Sequence, residues 1–118
     1  MDKLKELWQK FKVHSEGKWI LGWDDTQRLH KIIQKIKPKT ILDLGSGIGC
    51  STAIEAQAIK DLGIEGSVLG IESFKKCVDI ANELIPKDLP IEIQHHEQVI
   101  RQYDEVPYKY LWTYKDLP

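Results

Sequence analysis

The chain has little of what marks several protein classes. It holds two cysteines, Cys50 and Cys77, and one methionine in 118 residues. Two thiols this far apart make neither a disulfide framework nor a spaced zinc motif. They read as reduced thiols of a cytoplasmic protein. No apolar run approaches the roughly 20 residues that a membrane-spanning helix needs. The first residues, Met1-Asp2-Lys3-Leu4-Lys5-Glu6, are charged where a secretory leader is apolar, so a cytoplasmic location is expected. An excess of one charge is missing too. The net charge is -1, which removes the electrostatic case for a nucleic-acid partner. There is no internal repeat and no low-complexity linker. What remains is ordinary globular composition, 42% hydrophobic and 30% charged, enough for one domain with a modest core.

The pattern of apolar residues divides that domain into three stretches. Residues 1–37 read as helical. Leu4, Leu7, Trp8 and Phe11 fall at helical spacing, and so do Leu29, Ile32, Ile33 and Ile36. Asp24, Asp25 and Thr26 offer N-cap chemistry to the second helix, and Pro38 ends it. Residues 38–100 read as βαβαβ. Strands are predicted at Thr40–Leu44, Ser67–Glu72 and Ile91–Gln94, with helices at Ser51–Leu62 and Phe74–Ile85 between them. This alternation implies an α/β fold with a parallel sheet and right-handed crossovers. The helices are expected to cover both faces of the sheet. Residues 101–118 show no clear period and are expected to be an irregular tail.

Chemistry concentrates where the first strand meets the next helix. Gly45-Ser46-Gly47-Ile48-Gly49 lies at that junction. Glycine allows positive φ and close approach of backbone to a ligand. The following helix start, near Cys50-Ser51-Thr52, offers free N–H groups. A plain turn would need one glycine, not three in five residues. A dinucleotide fingerprint reads G-x-G-x-x-G. Here its last glycine is replaced by Cys50, and the third glycine arrives one residue early. Asp43 also precedes the loop. A carboxylate there repels a pyrophosphate and attracts an α-ammonium group. Both features disfavour a dinucleotide and favour a cofactor that carries an amino acid.

Ile41 to Thr52, as Ile-Leu-Asp-Leu-Gly-Ser-Gly-Ile-Gly-Cys-Ser-Thr, resembles motif I of class I S-adenosylmethionine-dependent methyltransferases. The Gly-Ile-Gly-x-Ser-Thr ending is similar to the small-molecule O-methyltransferase branch, including relatives of the caffeoyl-CoA type. The similarity covers roughly residues 24–100. It implies a Rossmann-like sheet of strand order 3-2-1. It also implies S-adenosylmethionine as cofactor, with contacts from Asp43, Gly45, Ser46, Gly47, Gly49, Ser51 and Thr52. The family places an acid at the end of the second strand on the ribose hydroxyls, and Glu72 holds that position. A carboxylate accepts from a vicinal diol; alone, it could equally be a solvated strand end. Ser73 and Phe74 then fall where the adenine is lined, although Phe74 could instead be core of the next helix. After the third strand, the family's adenine-binding acid matches Glu97, but His96 stands where a small residue is usual. His95 and His96 are neighbours on an extended strand and point to opposite faces, so no metal site is expected.

The implied activity is methyl transfer to an oxygen or nitrogen of a small-molecule acceptor. The alternatives are a non-catalytic cofactor-binding fragment or partner subunit and, less in keeping with Asp43, an NAD-dependent oxidoreductase. No catalytic residue can be named. In the resembled family a fourth strand pairs with the other edge of the first and brings substrate-positioning groups. Only Tyr108–Tyr114 offers a candidate, so the doubly wound fold is expected to be incomplete. The first strand would then be an apolar edge open to self-association.

Overall fold

The computed structural model describes residues 2–102 and 110–117. Helix α1 (Asp2–Lys12) buries Leu4, Leu7 and Phe11, the residues that recur at helical spacing. A single 3-10 turn, Gly17–Trp19, leads into α2 (Trp23–Ile36). Neither aspartate nor Thr26 caps α2. Gly22 does, and Asp24 and Asp25 lie in the first turn, where they complement the helix dipole. Trp23 joins the helix and packs on Trp8 with 5.6 Å between ring centroids. The helix ends before Pro38, with Lys37 in the left-handed region at φ 55°.

The central sheet follows the sequence pattern closely. Strands β1 (Thr40–Leu44), β2 (Ser67–Glu72) and β3 (Ile91–His95) are parallel, in the order β1-β2-β3. Helices α3 (Cys50–Leu62) and α4 (Lys75–Leu84) make the two crossovers. Gly63, at φ 67°, stops α3. The register sets Asp43 opposite Gly70 and Glu72 opposite His95, so both acids stand at the same end of the sheet.

Coverage of both faces is not what the chain builds. Two successive right-handed crossovers in the same direction put α3 and α4 on one face. Side chains from α3, α4, α1 and α2 merge there into one core that includes Phe11, Ile33, Ile54, Ile59 and Ala81. The other face of β1 is open: Leu42 is 57% exposed and Leu44 53%. The first strand is thus an edge strand with an uncovered apolar side.

The tail also departs from expectation. Strands β4 (Gln98–Gln102) and β5 (Tyr110–Tyr114) pair as an antiparallel sheet of their own. Cross-strand pairing of β-prone residues, which a local period cannot reveal, explains the difference. This hairpin does not pair with β1, so it leaves that strand's edge free among the described residues.

Candidate functional site

The glycine loop is built by the conformations its residues demand. Gly47 has φ +60° and Gly49 φ +93°, a region that side chains with a Cβ rarely enter. They serve different ends. A Cβ on Gly49 would lie 2.8 Å from Ile85 and 2.9 Å from Ala81, so this glycine lets α3 close onto α4. A Cβ on Gly47 would meet nothing within 4 Å. The space over Gly47 is open, and Cys50 and Ser51 at the start of α3 line the same cavity.

Two carboxylates flank the loop. Glu72 is buried, and its oxygens accept from the backbone N–H groups of Gly47 at 2.8 Å, Ser73 at 2.8 Å and Phe74 at 2.9 Å. The end of β2 is thereby locked to the loop that follows β1. Oε1 carries only the Gly47 bond and keeps a lone pair for a further donor. Asp43 is half-buried. Its Oδ2 accepts from Ser51 Oγ at 2.7 Å and Thr52 Oγ1 at 3.2 Å. This pairing explains why two hydroxyl residues begin α3.

Beside the loop lies a cavity of about 290 Å³, lined by Gly45, Ser46, Gly47, Cys50, Ser51 and Cys77 and walled by Trp19, Ile20 and Leu21. Two contacts hold that wall in place. Trp8 Nε1 donates to Leu21 O at 2.8 Å, and Lys76 Nζ pairs with Glu16 at 2.9 Å. The buried Ser46 Oγ has no hydrogen-bond partner among the described residues. Trp19 is 84% exposed at the cavity mouth. Trp8 and Trp23 instead pack against the core.

Most of the residues expected at the site come together: Asp43, Gly45, Ser46, Gly47, Gly49, Ser51, Thr52 and Glu72 surround the loop. Ser73 is adjacent and bonds to Glu72 through its N–H. Phe74 is not a core residue of α4; it is 68% exposed and caps the helix start. Glu97 is exposed between β3 and β4, and its carbonyl accepts from Lys115 N at 2.7 Å. No side-chain bond ties it to the loop among the described residues. His95 and His96 are spent on hydrogen bonds, to Ser73 O and to Lys115 O and Gln94 respectively. Cys50 and Cys77 are free thiols, and burial pushes the Cys50 thiol up to about 12.

Two side chains at the site escaped the sequence reading. Tyr114 comes from β5, and its hydroxyl would lie 3.4 Å from a Cβ on Gly45. Burial and the nearby carboxylates of Glu72 and Asp43 raise its phenol above the usual range. No local signal could have placed it there, because the hairpin brings it from far along the chain. Glu55 was legible in principle. It interrupts an apolar stretch of α3, Ala53-Ile54-Glu55-Ala56, yet only 7% of it is exposed. Burial, then a hydrogen bond to Asp43 and the charge of Asp43, push its carboxyl up to about 9.

A glycine loop between strand and helix, with an acid near the end of each of the first two strands, on a parallel 3-2-1 sheet, defines a Rossmann-like α/β fold. The chain belongs to the protein-L-isoaspartate(D-aspartate) O-methyltransferase family, whose model matches residues 27–108. Solved structures share the fold. A methyltransferase from Podospora anserina, bound to S-adenosylhomocysteine, is 17% identical and superposes with a TM-score of 0.67 over 80% of this chain and 42% of its own. An O-methyltransferase from Bacillus cereus, in complex with the same molecule, is 22% identical, with a TM-score of 0.61 over 80% of this chain and 43% of its own. An O-methyltransferase of tomaymycin synthesis from Streptomyces achromogenes, in complex with S-adenosylmethionine, is 16% identical, with a TM-score of 0.58 over 79% and 42%. The chain thus spans less than half the length of these three. Among curated proteins, none matches the sequence significantly. No helix among the described residues is long and apolar enough to cross a membrane.

Proposed function

We propose that these residues form the S-adenosylmethionine-binding half of a methyltransferase that acts on an oxygen or nitrogen of a small-molecule acceptor. The observation that carries the reading is the open space over Gly47 in the cavity lined by Gly45, Ser46, Cys50 and Ser51, with Glu72 bonded to the loop and Asp43 to the start of α3. The residues fit the cofactor. Gly45, Ser46 and Gly47 would lie against its methionyl part. Glu72 Oε1 would take a ribose hydroxyl, and Asp43 would face the α-ammonium group. Ser73 and Phe74 would border the adenine, with Glu97 as the acid toward its amino group. When bound, the cofactor supplies a methyl group on a sulfonium, ready for attack by a nucleophile. What the chain supplies is placement and exclusion of water, which is most of what methyl transfer needs.

An oxygen acceptor agrees with the family's name and with the O-methyltransferases among the similar structures. The apolar cavity wall of Trp19, Ile20 and Leu21 favours a small apolar molecule beside the cofactor. A second reading, a cofactor-binding piece with no activity of its own, is favoured by one observation. Among the described residues that line the cavity the carboxylate is Glu16, and it is paired with Lys76 at 2.9 Å. Two free thiols suit a cytoplasmic setting.

Replacing Glu72 with alanine tests the reading. It removes a charged acceptor at the loop and should weaken S-adenosylhomocysteine binding by about 1–3 kcal/mol. Titration calorimetry measures this, and an unchanged dissociation constant would overturn the role of Glu72. Expressed by themselves, the 118 residues should self-associate through a second copy, because the open side of β1 exposes Leu42 and Leu44 beside an unpaired edge. Light scattering that finds only monomer would contradict this.

A further inference from the structure

Glu55 is a carboxyl group in the wrong place for a surface residue. It lies on α3 one turn beyond Ser51 and Thr52, whose hydroxyls donate to Asp43 near the end of β1, and so shares their helix face. Ser51 and Thr52 give their hydroxyl protons to Asp43, and Glu55 faces the same carboxylate. Its Oε1 is buried with no hydrogen-bond partner among the described residues. A buried carboxylate with no cation and a like charge beside it costs several kcal/mol. Holding Glu55 as the neutral acid avoids that cost, and burial and Asp43 both raise its carboxyl in that direction.

We propose, taking the cofactor reading above as given, that Glu55 and Asp43 act as one proton-sharing unit, which positions Asp43 for the cofactor's amino group and releases its proton to solvent when that group docks. Glu55 is a positioning residue: it acts through Asp43. As the neutral acid Glu55 is a third donor to Asp43 besides Ser51 and Thr52. The pair then carries one negative charge. An arriving ammonium group adds one positive charge, and the balance shifts. The Glu55 proton leaves for the buffer, and two carboxylates share the cation, as expected when an opposite charge arrives within a few ångströms.

Nothing else near Glu55 competes for this role among the described residues. From β2, Glu72 is bound to three N–H groups. From α2, His30 turns toward α3 but pairs with Asp61 further along that helix, at 2.9 Å. The buried face of α1 is Leu4, Leu7 and Phe11, and β3 offers Ile91 and Ile93. Asp43 is the one charge that acts on Glu55.

The experiment is calorimetric titration of the protein at about pH 8 in two buffers of different ionisation enthalpy. The two probes are S-adenosylhomocysteine, which carries the amino group, and methylthioadenosine, which lacks it. The wild type should release roughly half a proton or more per S-adenosylhomocysteine bound and none with methylthioadenosine. Affinity for the first probe should rise between about pH 7 and pH 9, and affinity for the second should not. Glu55→Gln keeps a neutral donor, so it should bind both probes while losing the proton release and the pH dependence. Equal proton counts for the two probes in the wild type would overturn the proposal without any variant. So would a release that survives in Glu55→Gln. Binding of neither probe would instead remove the cofactor reading, and the proposal with it.

Discussion

Replacing Gly47 with valine should abolish measurable binding of S-adenosylhomocysteine, a loss of at least roughly a hundredfold. Two causes act together. Gly47 sits at φ +60°, where a β-branched residue is strained. The space over Gly47, where an added Cβ meets nothing within 4 Å, is also where a ligand must come close. The isopropyl group would occupy that space. Gly47→Ala shares part of the backbone strain with much less bulk, so it should fold with a modest loss of stability and bind less weakly than the valine variant. Thermal melts beside the titrations separate the two causes. If Gly47→Val folds and binds like the wild type, no ligand approaches this loop.

The pH dependence of folding should carry the signature of Glu55. Its carboxyl is raised from 4.5 to about 9 in the folded chain, first by burial and then by Asp43. Below the lower value both folded and unfolded chains hold the proton, and the contribution is flat. Between the two values the unfolded chain gives up its proton while the folded chain keeps it. Stability therefore falls as pH rises through that window, with a slope approaching ~1.4 kcal/mol per pH unit for one proton. Glu55→Gln does not titrate and should lack this slope. Subtracting denaturant midpoints of the variant from those of the wild type across about pH 5 to pH 9 isolates the effect. Parallel curves would mean that Glu55 is ionised and solvated.

The sheet and its loop were legible because their signals are local. Thr40–Leu44 is β-prone and runs straight into glycines, and Gly63 and Pro86 punctuate the helices. Asp43 and Glu72 stood out because each ends a strand that a residue count could place. What was not legible depends on distance in sequence. Tyr114 reaches Gly45 only through a hairpin whose pairing is set by contacts across the chain. The open side of β1 was hidden for the same reason: Leu42 and Leu44 look like core residues in a strand, and they are bare because both crossover helices lie on the other face. Phe74 and Glu97 were named from family position, and the structure leaves both exposed, Phe74 at the start of α4 and Glu97 between β3 and β4. Glu55 had a readable signal, an acid inside an apolar helix face, but its meaning needed the neighbouring Asp43.

The central claim is the identity of the cofactor, and competition between two ligands tests it most directly. S-adenosylhomocysteine and NAD share an adenosine, so the ribose and adenine contacts do not separate them. They differ where Asp43 stands: one presents an ammonium group there, the other a pyrophosphate. Titration calorimetry of the protein with each ligand under identical conditions should give saturable binding of S-adenosylhomocysteine and none of NAD. Asp43→Asn should weaken the first and leave the second absent. Binding of NAD with no response to S-adenosylhomocysteine would contradict the account.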